Sequence, residues 1–177
     1  DGRLLVGGHF TQVGGVSRNG IARLNSDGSL DTGFDPGTGI GAGVSEVYTM
    51  SLQGDGRIII GGRFTDFNGT PHQHIARLES NGALDPSFDP GSGFGGLEIG
   101  YNLEGWVKSL ALQPGNKLIV GGAFISFNGI GRNRIARLLL GNPIDCLGVE
   151  NGPALPGTPC DDGLATTGND VYGPDCV

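Results

Sequence analysis

"IIIGGRFTDFNGTPHQHIARLES", residues 58–80, has two relatives in the same chain: "LLVGGHFTQVGGVSRNGIARLNS" at 4–26 and "LIVGGAFISFNGIGRNRIARLLL" at 118–140. The paired glycines (Gly7-Gly8, Gly61-Gly62, Gly121-Gly122) and the Ile-Ala-Arg-Leu begun by Ile21, Ile75 and Ile135 stay in register, at separations of 54 and then 60 residues. Two independent markers sharing one period make a tandem repeat, and a period of this size signals a solenoid, a propeller or an array. The six extra residues fall between Gly91 and Val107, where "GSGFGGLEIGYNLEGW" replaces "GTGIGAGVSE". The insertion is therefore a linking loop outside the repeated strands.

One unit reads as four short antiparallel strands. "VYTMSLQ" at 47–53 alternates Tyr48, Met50 and Leu52 with Val47, Thr49 and Ser51, and "VKSLALQ" at 107–113 keeps the pattern. "GDG" at 54–56 and "PGN" at 114–116 supply turns. Three consecutive apolar residues in "RIIIGG" predict a central strand covered on both faces. A loop with Asn68-Gly69 or Asn128-Gly129 leads to the "IARL" strand, and a fourth strand is expected over "LDTGF" and "LDPSF", its proline suiting an edge. Such a sheet cannot bury both faces alone, so copies must stack, and the Gly-Gly pair is expected to let neighbours approach closely. The reading is all-β, with propeller-blade-like units at about 1–46, 47–106 and 107–145.

Composition agrees. Thirty-six glycines among 177 residues, with one Met and one Trp, favour turns over helices. The net charge is −7 and the 11 basic residues are scattered, so nothing resembles a phosphate-neutralising stripe and nucleic acid is excluded as an expected partner. No apolar run approaches the roughly 18 residues of a membrane helix.

The pattern of "DGRIIIGGRFTDFNG" followed by "IARLESNGALDPSFDPG" resembles the delta-sixty repeat family of bacterial β-propeller-like proteins, over residues 1–145. The resemblance implies blades in large secreted or surface proteins, with no family-wide catalytic residue to carry over. About ten strands fall short of the four to eight blades of closed propellers, so the chain is expected to be an excerpt of a longer polypeptide, or to close with other copies.

Residues 146–177 are a different object, rich in Gly, Pro, Asp and Thr. Cys146, Cys160 and Cys176 are too widely spaced for a zinc knuckle, and disulfide stapling in an oxidising, extracellular setting is the expectation, with the odd cysteine free, bonded to another chain or paired beyond Val177. "PGTPCDDG" and "NDVYGPDC" are similar to linker modules of large bacterial surface proteins.

Arg23, Arg77 and Arg137 each precede an aspartate by eight residues, Asp31, Asp85 and Asp145, and a guanidinium between apolar neighbours needs a carboxylate if buried. These are expected structural ion pairs. Phe94, Tyr101 and Trp106, in or beside the insertion, are the candidate ligand-binding residues, since aromatic rings stack on sugar faces; packing between blades is the competing reading for Trp106. Asp161, Asp162 and Asp170, with Asn169 and Asp175, offer the hard oxygens calcium takes, against a solvated acidic linker, and no other cofactor is expected. The aspartates of "DTGFDPG" and "DPSFDPG" carry the same choice between calcium and turn. His72 and His74 read as surface polar residues rather than metal ligands, and "GSGFGG" as a turn rather than a nucleotide loop, since no helix follows it. No G-x-S-x-G or H-E-x-x-H occurs. The expected function is a non-enzymatic structural or adhesive repeat region, extracellular or on the cell surface, whose partners are other copies or adjacent repeats. A carbohydrate- or peptide-binding propeller module, with glycans as partners, is the alternative, and glycoside hydrolysis ranks last.

Overall fold

The computed structural model describes residues 2–41, 45–96 and 105–140, with the backbone of two short strands at 159–160 and 170–171. Described residues form strands and turns only. The first unit holds β1 (Leu4–Gly7), β2 (Gln12–Val13), β3 (Val16–Ser17) and β4 (Ile21–Leu24); the second β5 (Glu46–Leu52), β6 (Ile58–Arg63), β7 (Asp66–Phe67), β8 (Thr70–Pro71) and β9 (Ile75–Leu78). After the linking strand β10 (Phe94–Gly95), the third repeats the second as β11 (Trp106–Gln113), β12 (Lys117–Ala123), β13 (Ser126–Phe127), β14 (Ile130–Gly131) and β15 (Ile135–Leu139). Near the end, β16 (Pro159–Cys160) pairs antiparallel with β17 (Asp170–Val171).

The sheets run β5-β6-β9 and β11-β12-β15, with β1-β4 as their counterpart, all antiparallel. β6 is central for the reason its sequence gave: Ile58, Ile59 and Ile60 are all buried. Ile58 and Ile60 join Ile21, Phe34, Phe64 and Leu78 in a core between the first two units, while Ile59 joins Ile75, Phe94, Val107 and Phe124 in a core between the last two. Each such side chain contributes about 1.5–3 kcal/mol. The two cores are the same set of repeat positions used twice.

Three local readings are corrected. The fourth strand reduces to single bridges, Leu24 to Leu30 and Leu78 to Leu84. The next aspartate turns the backbone on itself: Asp31 Oδ1 accepts from the Gly33 N–H, and Asp85 Oδ1 from the Ser87 N–H and hydroxyl, which competes with a ladder. The alternation of "VYTMSLQ" is interrupted by a bulge between Val47 and Thr49, and the third unit has the same bulge between Val107 and Ser109. One extra residue shifts the phase, so Val47 and Met50 meet the same neighbour, Gly7 of the first unit. Finally, the Asn-Gly loop is itself a hairpin, β7 with β8 and β13 with β14. Asn68 and Gly69 have φ of 52° and 72°, Asn128 and Gly129 48° and 74°, the double positive φ of a type I′ turn.

The Gly-Gly pair has two jobs. A Cβ on Gly61 would run into Val107 of the next unit, as one on Gly7 would into Val47. A Cβ on Gly62 or Gly122 would strike the carbonyl of Glu46 or Trp106 across the bulge. The first glycine admits the next blade; the second admits its own inner strand.

Candidate functional site

The seam between units is where repeated sequence becomes repeated geometry. Arg23, on β4, donates from Nε to Asp31 Oδ2 at 2.7 Å and from Nη1 to the carbonyl of Ser80 in the next unit at 2.6 Å, with its guanidinium 4.9 Å above the Phe34 ring. Arg77, on β9, repeats each element: Nε to Asp85 Oδ2 at 2.7 Å, Nη1 to the carbonyl of Leu140 at 2.5 Å, and the Phe88 ring at 5.1 Å. Its Nη2 also donates to Ser87 Oγ at 3.0 Å. Each of these two arginines therefore pairs with the aspartate eight residues on and also ties that turn of its own unit to a backbone corner of the next.

Burial grades the two clamps. The side chains of Arg77 and Asp85 are 4% and 2% exposed, those of Arg23 and Asp31 14% and 13%. A second arginine supports each aspartate, Arg3 at 3.4 Å from Asp31 and Arg57 at 3.3 Å from Asp85. The Arg23 hydrogen bond leads in holding Asp31 below the usual carboxylate range. For Asp85, burial pushes upward, but the Ser87 hydroxyl and N–H and the Arg77 guanidinium outweigh it and the net shift is down. These carboxylates already serve guanidinium and turn. Arg137 is exposed on β15, and its expected partner Asp145 lies outside the described residues.

A second tie crosses the same seam. Asn68 Oδ1 accepts from the Thr38 hydroxyl and the Gly39 N–H, and Asn128 Oδ1 from the Ser92 N–H and hydroxyl. The "GSGFGG" loop is thus a strap laid on the next unit's hairpin, where β10 pairs with β13. Nothing in single residues announces these asparagines as ties; their recurrence 60 apart opposite the loops is the available signal.

Phe94 and Trp106 do not come together. Phe94 is fully buried, 4.5 Å from the Phe124 ring and 4.6 Å from Phe127, so it is a core residue, as its counterpart Ile40 is in the first seam. Trp106 is half-buried in a different cluster: 6.3 Å from Tyr48, with the Arg63 guanidinium 4.7 Å and Lys108 Nζ 5.0 Å from its ring, and Lys108 Nζ 4.3 Å from Tyr48. Tyr101 lies outside the described residues, as do Cys146, Cys176, Asp161, Asp162, Asn169 and Asp175 and the side chains of Cys160 and Asp170.

His72 and His74 are each 6% exposed, which corrects their reading as surface residues. They lie in the link between β8 and β9, where the His74 ring packs beside Gly105 at the seam. Burial lowers the His72 pKa, against the pull of the Ile75 backbone and Asp89. Among the described residues no three His, Cys, Asp or Glu side chains are grouped to hold a metal ion. A cleft of about 260 Å³ lies beside Phe88, Phe127, Arg132 and Arg137. In the first seam the Asn81-Gly82 turn packs at the matching place, against Phe34 and Asp35.

No curated protein and no solved structure matched this chain. A family model described as a domain of unknown function (DUF5122) beta-propeller matches residues 1–34, 53–88 and 113–141, segments that carry both complete arginine clamps. Those segments make up more than half of the chain, which belongs to this β-propeller family.

Proposed function

We propose that the chain is a non-enzymatic structural or adhesive repeat region of a secreted or cell-surface protein, of the delta-sixty kind, followed by a cysteine-stapled linker. The observation that carries the reading is the double use of one seam. The positions that repeat are those that stack units, and the buried pair Arg77 and Asp85 is committed to that stacking. The cysteine-bearing tail adds support for an oxidising location. The test is to incubate the folded chain with a panel of polysaccharides and peptides and follow both retention and cleaved products. No cleaved product is expected, and retention of a ligand would favour the adhesive form of the reading over the purely structural one; a released product would overturn the non-enzymatic reading.

A second reading, a carbohydrate- or peptide-binding module, is favoured by the cluster of Tyr48, Arg63, Trp106 and Lys108. It falls at positions that differ between units: Tyr48 matches Lys108, Arg63 matches Ala123, and Glu46 matches Trp106. Bulges re-aim side chains beside functional sites, and Tyr48 and Lys108 are the extra residues of the two bulges. Its cations suit an acidic saccharide or peptide. Retention of an acidic polysaccharide that disappears in Trp106→Ala would establish it over the first reading.

A further inference from the structure

We infer that Asn68, at the tip of the β7-β8 hairpin, is a site of N-glycosylation, taking a saccharide on Nδ2 from a glycosyl diphosphate donor. It rests on the secreted or surface location proposed above only as the place where such a donor and its transferase are met.

Asn68-Gly69-Thr70 has the spacing of a glycan acceptor, an asparagine with a hydroxyl two residues on. The hairpins β2-β3, β7-β8 and β13-β14 are built alike, so each position at this tip can be judged against two counterparts. Strap and turn account for Asn68 and Gly69, since Asn128 and Gly129 do the same work in the third unit. Nothing in the fold asks for Thr70. Val16 and Ile130 hold its place on β3 and β14, while Thr70 is exposed and its hydroxyl makes no hydrogen bond among the described residues. Asp66 stands two residues before the asparagine, where the other tips have Gln12 and Ser126, and offers a cationic transferase groove a second handle.

The carboxamide is held with the correct end free. Oδ1 accepts from the Thr38 hydroxyl at 2.9 Å and the Gly39 N–H at 3.0 Å, and two donors there fix that end as the oxygen. Nδ2 donates no hydrogen bond among the described residues, and Asn68 is exposed. Beside it stands Gly37, where a Cβ would come within 2.9 Å of Nδ2, so glycine leaves the nitrogen open to an incoming group. In the transfer Nδ2 bonds to the anomeric carbon, the bond from that carbon to the diphosphate oxygen breaks, and one Nδ2 proton passes to a base of the transferase as the diphosphate leaves. The product is still an amide whose Oδ1 accepts as before. Strap and glycan therefore share one side chain without conflict.

The experiment uses the folded full chain and two purified systems, each shown to be active on an acceptor peptide: a bacterial oligosaccharyltransferase with a polyprenyl-diphosphate oligosaccharide, and a soluble N-glycosyltransferase with UDP-glucose. Trypsin then releases residues 64–77 as one peptide, bounded by Arg63 and Arg77, on which mass spectrometry reads the adduct. At least one system is expected to modify Asn68, and the one that does so identifies the donor as lipid-linked or nucleotide-linked. Thr70→Val should abolish the adduct with the fold unchanged by circular dichroism, and Ile130→Thr should make Asn128 a second acceptor. The glycosylated chain should keep the Tm of the unmodified one, because the strap is intact. An unmodified Asn68 in both systems, modification of the denatured chain only, or an adduct that survives Thr70→Val would overturn the inference. Each of these bears on the acceptor alone, since the donor is supplied, and leaves the structural reading to the product and retention screen.

Discussion

Replacing Arg77 with methionine tests the seam where it is driest. The substitution keeps most of the stem volume and removes three directed donors. Among the described residues Asp85 would keep only Arg57 as a cationic partner, 3.3 Å from the same oxygen, while the carbonyl of Leu140 and the hydroxyl of Ser87 would lose the guanidinium donor. Breaking a buried pair by removing one partner costs about 3–5 kcal/mol, and the residual Arg57 contact places the loss near 3 kcal/mol. For a chain of this size that is a fall of roughly 6–12 °C in Tm. The chain carries its own controls: Arg137→Met, at an exposed counterpart, should change stability by less than about 0.5 kcal/mol, and Arg23→Met, in a better solvated pair, should fall between. Arg77→Met with Asp85→Leu should recover part of the loss, because no buried charge is stranded. Thermal unfolding followed by circular dichroism, at neutral pH and low protein concentration, reads all four. Equal shifts at the three arginines, or no shift at Arg77, would refute the claim that the clamp acts through burial between units.

The glycines make a parallel comparison. Gly61→Ala would push a methyl against the stiff, β-branched Val107 and should cost about 1–3 kcal/mol, while Gly121→Ala meets chiefly the Ser109 hydroxyl, which can rotate away, and should be near neutral in denaturant titration. Acid should weaken the fold in two stages. Because burial lowers the His72 pKa, the unfolded chain binds a proton that the folded chain resists, so stability is full above pH 6.5 and declines below it; His72→Gln should flatten that limb of a Tm-against-pH curve. The lowered carboxylates of Asp31 and Asp85 place a second loss below pH 3.8, which His72→Gln leaves in place.

The stacked units were legible because they depend on period and volume. Three isoleucines in a row require cover on both faces, and paired glycines recurring in register require something close. The bulges were not legible, since "VYTMSLQ" alternates well enough as a regular strand, and what selects the bulge is the steric opening at Gly62 on the facing strand. The fourth strand fails because the Asx turns at Asp31 and Asp85, one of the two roles open to those aspartates in the sequence, take the backbone groups that a ladder would use. Phe94 is ambiguous in sequence because it sits at the start of the insertion, yet its counterpart Ile40 marks it as the last repeated core position. The acceptor that completes each clamp was beyond single-residue reading, because a backbone carbonyl leaves no trace in the sequence.

The direction of each contact decides which parts of the seam repeat and which drift. Apolar faces attract without direction and would tolerate sliding of one sheet on the next. A planar guanidinium does not, since its donors leave at fixed angles and reach their acceptors in one register only. Lysine at 23, 77 or 137 would supply charge but not that fork. The clamp takes hold of main chain, so the residue that offers the carbonyl is free to be Ser80 in one seam and Leu140 in the other. The side chain that defines the seam is fixed, and the side chain that receives it is released to vary, which is how units of unequal length can join through one geometry.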